Sequence, residues 1–156
     1  SRFRLEFDYT GTADVTPFLV LPELISFMET IVPRRADDGP WAWASLMRFN
    51  RENTLRGRDI LCRELGAAAP APDEMIAALA SVPIRERGPG EPAEPTMYHD
   101  PLQDRLIRRW GIQAPIVLYP PGVPGARTRL VRIAMQAYNT VQQVEYLAQA
   151  LKSELA

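Results

Sequence analysis

The spacing of apolar positions divides the chain into a short series of elements. Between Phe3 and Asp8, the apolar Phe3, Leu5 and Phe7 alternate with Arg4, Glu6 and Asp8. That period of two predicts a half-buried strand, ended by a turn over Tyr9 to Thr12. Thr16 and Pro17 read as an N-cap and a first helical position. Phe18 to Leu21 and Leu24 to Ile31 follow with helical spacing. Pro22 between them permits two short helices or one kinked helix. Pro33 to Pro40 is a charged connector. Trp41 to about Leu65 holds no proline and predicts one long helix, with Leu46, Phe49, Ile60, Leu61 and Leu65 turned inward. Gly57 on the same stripe would admit a neighbouring backbone, and Gly66 would stop the helix.

The second half changes rhythm. Ala67 to Asp73 reads as an extended loop, Ala77 to Pro83 as a strand, and Arg85 to Pro95 as an exposed loop. Asp100-Pro101 caps a helix that runs to Trp110, with Leu102, Leu106 and Ile107 inward and Gly111 as its stop. Ala114 to Tyr119 and Arg127 to Gln136 read as strands. The Pro120 to Gly125 turn between them implies an antiparallel pair. Thr140 and Gln143 form a capping box, after which Val141, Val144, Leu147, Ala148 and Leu151 share one helical face. Helices interspersed with short strands predict an α/β (α+β) fold, a short mostly antiparallel sheet covered by helices.

Composition narrows the chemistry. The 156 residues are 46% hydrophobic and 24% charged, with a formal net charge of −1, enough for a core and too balanced for a domain built to hold phosphate backbones. No nucleic-acid partner is therefore expected. Its eighteen basic residues are seventeen arginines and Lys152, so a mechanism with a lysine nucleophile has a single candidate near the end of the chain. Cys62 is the one cysteine, which forbids an internal disulfide or a multi-cysteine metal cage. No apolar run approaches the ~20 residues that span a bilayer, and no signal-peptide pattern is legible. A cytoplasmic setting without membrane contact is the expectation.

Familiar catalytic constellations find little support. His99 is the only histidine, no serine sits in a Gly-x-Ser-x-Gly elbow, and His99 beside Asp100 reads as a surface residue at a helix entrance. Cys62 lies mid-helix near Arg58 and Arg63 and reads as an inert buried thiol. The acidic pairs Asp37-Asp38 and Glu91/Glu94 lack metal-ligand spacing, so no metal is expected. Arg132 is different. In the last strand Val131, Ile133 and Met135 share one face, and Leu130, Arg132 and Ala134 the other. An arginine between apolar neighbours lies either on a solvated face or beside an anion, for which its fork suits a carboxylate. The pattern alone favours the solvated face.

Val131-Arg132-Ile133-Ala134, followed by Gln136-Ala137-Tyr138-Asn139-Thr140 and a closing amphipathic helix, resembles the C-terminal end of class V aminotransferases. These are pyridoxal-phosphate (PLP) enzymes of fold type I. Phe7-Asp8-Tyr9-Thr10-Gly11-Thr12-Ala13-Asp14-Val15-Thr16-Pro17 resembles the segment just beyond that family's cofactor lysine. With Leu21-Pro22 and the strand Leu79-Ala80-Ser81-Val82-Pro83, the likeness is closest to the isopenicillin N epimerase-like branch. It runs from the first predicted element to the final helix.

The resemblance implies that Gly11 and Thr12 contact the cofactor phosphate, commonly across a dimer interface, and that Arg132 holds the substrate α-carboxylate. It thereby reverses the preference drawn from the pattern. It further implies a homodimer acting on an amino acid. The departure is as informative. The lysine that anchors the cofactor and the acid that pairs with its ring nitrogen lie, in the family, in a large N-terminal domain with no counterpart here. The expectation is a small C-terminal domain over residues 34–156, preceded by a linking segment, 1–33, that packs on the missing domain. Such a chain is inactive alone. An epimerase outcome comes first, a C–S lyase, desulfurase or aminotransferase next, and a stand-alone binding or assembly module is the alternative from another class.

Overall fold

The structure, a computed structural model, describes residues 2–8, 11, 14–41, 43–86, 95–98, 100–120 and 128–156. Among them lie six α-helices and three strands. The strands are β1 (Leu79–Ile84), β2 (Ile116–Tyr119) and β3 (Thr128–Ala134), in an antiparallel sheet of order β1-β3-β2. The fold is therefore α+β, with a short antiparallel sheet, as the spacing predicts. The central strand β3 sets Ser81 opposite Arg132 and Val117 opposite Leu130. Pro83, which cannot donate to a ladder, lies in an edge strand where the loss is tolerated.

One face of the sheet carries the core. Ala80, Val82, Ile116, Val131 and Ile133 meet α4 (Ala44–Leu65), α5 (Pro101–Trp110) and α6 (Val141–Leu155) through Leu61, Leu102, Leu106, Leu147 and Leu151. The long helix begins at Ala44. Leu46, Ile60 and Leu61 are buried as expected, whereas Phe49 and Leu65 are only half-buried. Gly57 is a close-approach site for side chains, not backbone. A Cβ there would stand 3.0 Å from Ile133 Cδ1 and 3.2 Å from Val144 Cγ2. Gly66 and Gly111 end α4 and α5 at φ 64° and 65°, left-handed conformations that glycine adopts without a Cβ clash. The expected caps also form: Asp100 accepts from the Leu102 amide at 2.8 Å, and Thr140 and Gln143 close their capping box.

Two expectations at the start of the chain are corrected. Residues Arg2–Phe7 form a helix, α1, not a strand. No described strand lies alongside to complete a ladder, so the backbone satisfies itself locally, as in the Asp8 amide donating to the Arg4 carbonyl at 2.8 Å. Phe3 and Phe7, spaced to alternate on a strand, are equally spaced for one helical face, and their rings meet at 4.9 Å, tilted by 41°. Thr16 is already inside helix α2 (Thr16–Leu19). Val15 takes the N-cap place, and Asp14 Oδ1 accepts from the Thr16 amide at 2.9 Å. Helix α3 (Leu21–Thr30) follows as a separate helix, with Pro22 in its first turn. The break thus falls at Val20.

The connector after α3 is pinned to α4. Asp38 is ion-paired with Arg48, and Arg35 with Glu52 at 2.9 Å, while the Trp43 indole donates to the Ile25 carbonyl at 3.1 Å. The Arg48 hydrogen bond, then the Arg35 amide, hold the Asp38 carboxyl below its ordinary range. The Gly122 to Gly125 turn, Glu91/Glu94 and His99 lie outside the described residues.

A candidate carboxylate site on the open face of the sheet

Strand parity separates two arginines of β3. Arg129 falls on the core side with Val131 and Ile133. Arg132 falls on the opposite face with Leu130 and Ala134, in the alternation expected of the sequence. Among the described residues that face is largely open: Leu79 at its β1 margin, Ala134 on β3 and Tyr119 on β2 are exposed, and Val117 and Leu130 are half-buried. Arg132 is exposed, and its guanidinium has no hydrogen bond or ion pair to any described residue. Its backbone is fixed none the less. The Arg132 amide donates to the Pro115 carbonyl at 3.0 Å, which extends the β2–β3 ladder by one rung. Arg132 also lines an open concavity of about 220 Å³, shared with Gln113, Asn139 and Gln143. A rigid strand that presents a planar cation between apolar neighbours is suited to a two-point carboxylate contact.

Arg129 is the functional-looking arginine that the sequence reading missed. It is 3% exposed and donates from Nη2 to Asp100 Oδ1 at 2.8 Å and from Nη1 to the Arg85 carbonyl at 3.1 Å. Asp100, equally buried, caps α5 with the same oxygen. The signal was available: an arginine in phase with Val131 and Ile133 requires a buried acid. Arg129 is spent on joining β3 to α5, which leaves Arg132 as the free cation of the strand.

The other candidates separate plainly. Gly11 is an exposed bend at φ 105°, with no atom within 4 Å of where a Cβ would sit. Thr12 lies outside the described residues. No described hydrogen bond or ion pair joins the chain before Ile25 to the sheet, so Gly11 and Arg132 are not brought together by such a contact. Lys152 is ion-paired with Glu64 at 3.1 Å, across the outer side of α4 and α6. That bond, then Arg63, draws the Glu64 carboxyl below its usual value. Cys62 is half-buried, and desolvation pushes its thiol up despite nearby Arg58, which keeps it protonated and inert at neutral pH. Among the described residues no three of His, Cys, Asp and Glu are grouped to hold a metal. No described helix is long and apolar enough to cross a membrane. No protein-family model matches the chain, and no curated protein matches it.

Proposed function

We propose that the chain is the substrate-clamping C-terminal domain of a PLP-dependent enzyme that transforms an amino acid, epimerase-like in outcome. The observation that carries this reading is Arg132: an exposed guanidinium on the central strand, unpaired among the described residues, on the face the helices leave open. The α+β fold and the resemblance at both ends of the chain support it. Arg132 binds and orients the α-carboxylate. The Gly11 amide, with Thr12, donates to the cofactor phosphate.

The fit to the cofactor is partial. The exposed Gly11 leaves room for a phosphate, but Lys152, held by Glu64, does not suit the anchoring role, which falls to a large domain packed over the open face. PLP, when bound, supplies the electron sink for loss of the Cα proton. What this chain contributes is binding and orientation, which alone are worth several kcal/mol in a well-aligned site.

The test follows the Arg132 Nε resonance by NMR while an L-amino acid or its α-amide is added. A shift with the acid, none with the amide, and loss of the response in Arg132→Ala is the expected result. An equal response to the amide, or an unchanged response in the variant, would overturn the carboxylate role.

A further inference from the structure

A second concavity lies where the connector after α3 meets α4 and the turn after β3. It encloses about 320 Å³, within the size range of small-molecule sites. Its apolar lining includes Val32, which is buried, and Phe49 and Ala137, which are half-buried. Val32 is 7% exposed, so this end of the connector already packs on the domain that follows. Its polar lining is Arg34, Arg35 and Arg48, and among the described residues no acid lines it. Cross-links hold its shape. Arg48 pairs with Asp38 and reaches the Pro33 carbonyl at 3.4 Å. Asn50 Nδ2 donates to Gln136 Oε1 at 2.8 Å, which ties α4 to the segment that carries Ala137.

The three guanidiniums are not equally committed. Arg48 is spent on Asp38, whose side chain is 1% exposed, and on Glu52. Arg35 meets Glu52 through Nη1, which leaves its Nε/Nη2 edge, a parallel pair of N–H donors, without a partner among the described residues. Arg34 donates from Nη2 to the Gly39 carbonyl at 2.6 Å and has no ion pair among the described residues, so its Nε and Nη1 are also unused. Asp37 is exposed and lies outside the lining. Asp38 and Glu52 thus leave one of the three positive charges without a carboxylate in contact. The two oxygens of a carboxylate would saturate the Arg35 edge and leave Arg34 unanswered. A phosphate monoester brings three oxygens and up to two charges, enough for both arginines. We infer that this cavity binds a small phosphate monoester, its phosphate between Arg34 and Arg35 and its organic body against Val32, Phe49 and Ala137.

This cavity shares no lining residue with the concavity at Arg132, so the inference goes beyond the proposed function and is tested independently of it. The whole chain is titrated with phenyl phosphate by isothermal calorimetry at ~0.15 M ionic strength, where exposed charges are screened beyond about 8 Å. Saturable binding tighter than about 1 mM is expected, with benzoate and inorganic phosphate each about tenfold weaker or more. Arg34→Gln/Arg35→Gln should lose about tenfold or more in affinity. Arg56→Gln, which changes an exposed arginine of α4 outside the lining, should lose less than about twofold. Arg34 and Arg35 are exposed, and circular dichroism checks that the double variant keeps its helices. No saturation by about 1 mM would overturn the inference. So would benzoate or inorganic phosphate binding as tightly as phenyl phosphate, or an equal loss in Arg56→Gln.

Discussion

The buried pair between Arg129 and Asp100 offers the sharpest test of how the sheet is tied to its helices. Both side chains are at most 3% exposed, and the N–O distance is 2.8 Å. Removing one partner of such a pair leaves a buried, uncompensated charge and costs about 3–5 kcal/mol. The possible single changes are not equivalent here. Asp100→Ala strands Arg129 with only the Arg85 carbonyl among described acceptors and also strips the cap from α5, a further ~1 kcal/mol. Asp100→Ser keeps a capping oxygen and loses only the charge. Arg129→Met leaves the Asp100 carboxylate with the Leu102 amide and the N-terminal end of α5, so its cost is the smallest of the three.

Arg129 Nε is buried without a partner among the described residues, so the pair is imperfectly satisfied even when intact. The double change Arg129→Met/Asp100→Ser removes both charges and keeps the cap, and should return to within about 1 kcal/mol of wild type. Urea unfolding followed by circular dichroism measures each value. At this chain length, the Asp100→Ala loss of roughly 4–6 kcal/mol corresponds to a fall in Tm of about 8–24 °C. Single-variant costs that add in the double variant, with a coupling under ~0.5 kcal/mol, would refute the reasoning.

Other outcomes follow from contacts elsewhere. Glu154 is half-buried, its side chain largely covered; desolvation raises its carboxyl, but hydrogen bonds from Trp110, Arg109 and Arg105 outweigh it and hold the group below the ordinary 4.5. Its contribution is full above pH 4.5 and lost as pH falls through the lowered value, so the urea midpoint should drop on acidification in that window. Glu154→Gln should flatten the drop, and an unchanged slope would remove Glu154 as its source. Gly57→Ala gains helix propensity of about 1 kcal/mol but presses on Ile133 and Val144 at an overpacking cost of ~1–3 kcal/mol. Ile133→Val should therefore cost less in that background than in wild type, by urea titration; equal costs would show that the contact is not tight. PLP added to the isolated chain should develop no new visible absorbance band, because Lys152 is engaged with Glu64. A band that disappears in Lys152→Ala would contradict that placement.

The parts of the fold legible in the sequence were those whose signals are local. The capping box at Thr140, the Asp100 cap and the terminating glycines depend on a few neighbouring residues, and each lies where the spacing puts it. The first element failed for the complementary reason. A strand needs a partner strand, which alternation cannot reveal, and Phe3 and Phe7 fit a helical face as well as a pleated one. The exposure of α2 and α3 was similarly hidden. Their apolar spacing specifies a face to be covered and says nothing of whether the cover belongs to the same molecule.

At the candidate site, parity carried the argument further than residue type. Arg129 and Arg132 lie three positions apart on one strand, an odd separation that must send them to opposite faces. The helix-covered face forces Arg129 to find an acid, and Asp100 at the start of α5 satisfies it. Among the described residues nothing on the open face makes the same demand of Arg132, which is exposed. A carboxylate gains most from a cation that no protein acid already holds, and from a backbone already fixed by its ladder. Arg132 meets both conditions, and Arg129 only the second.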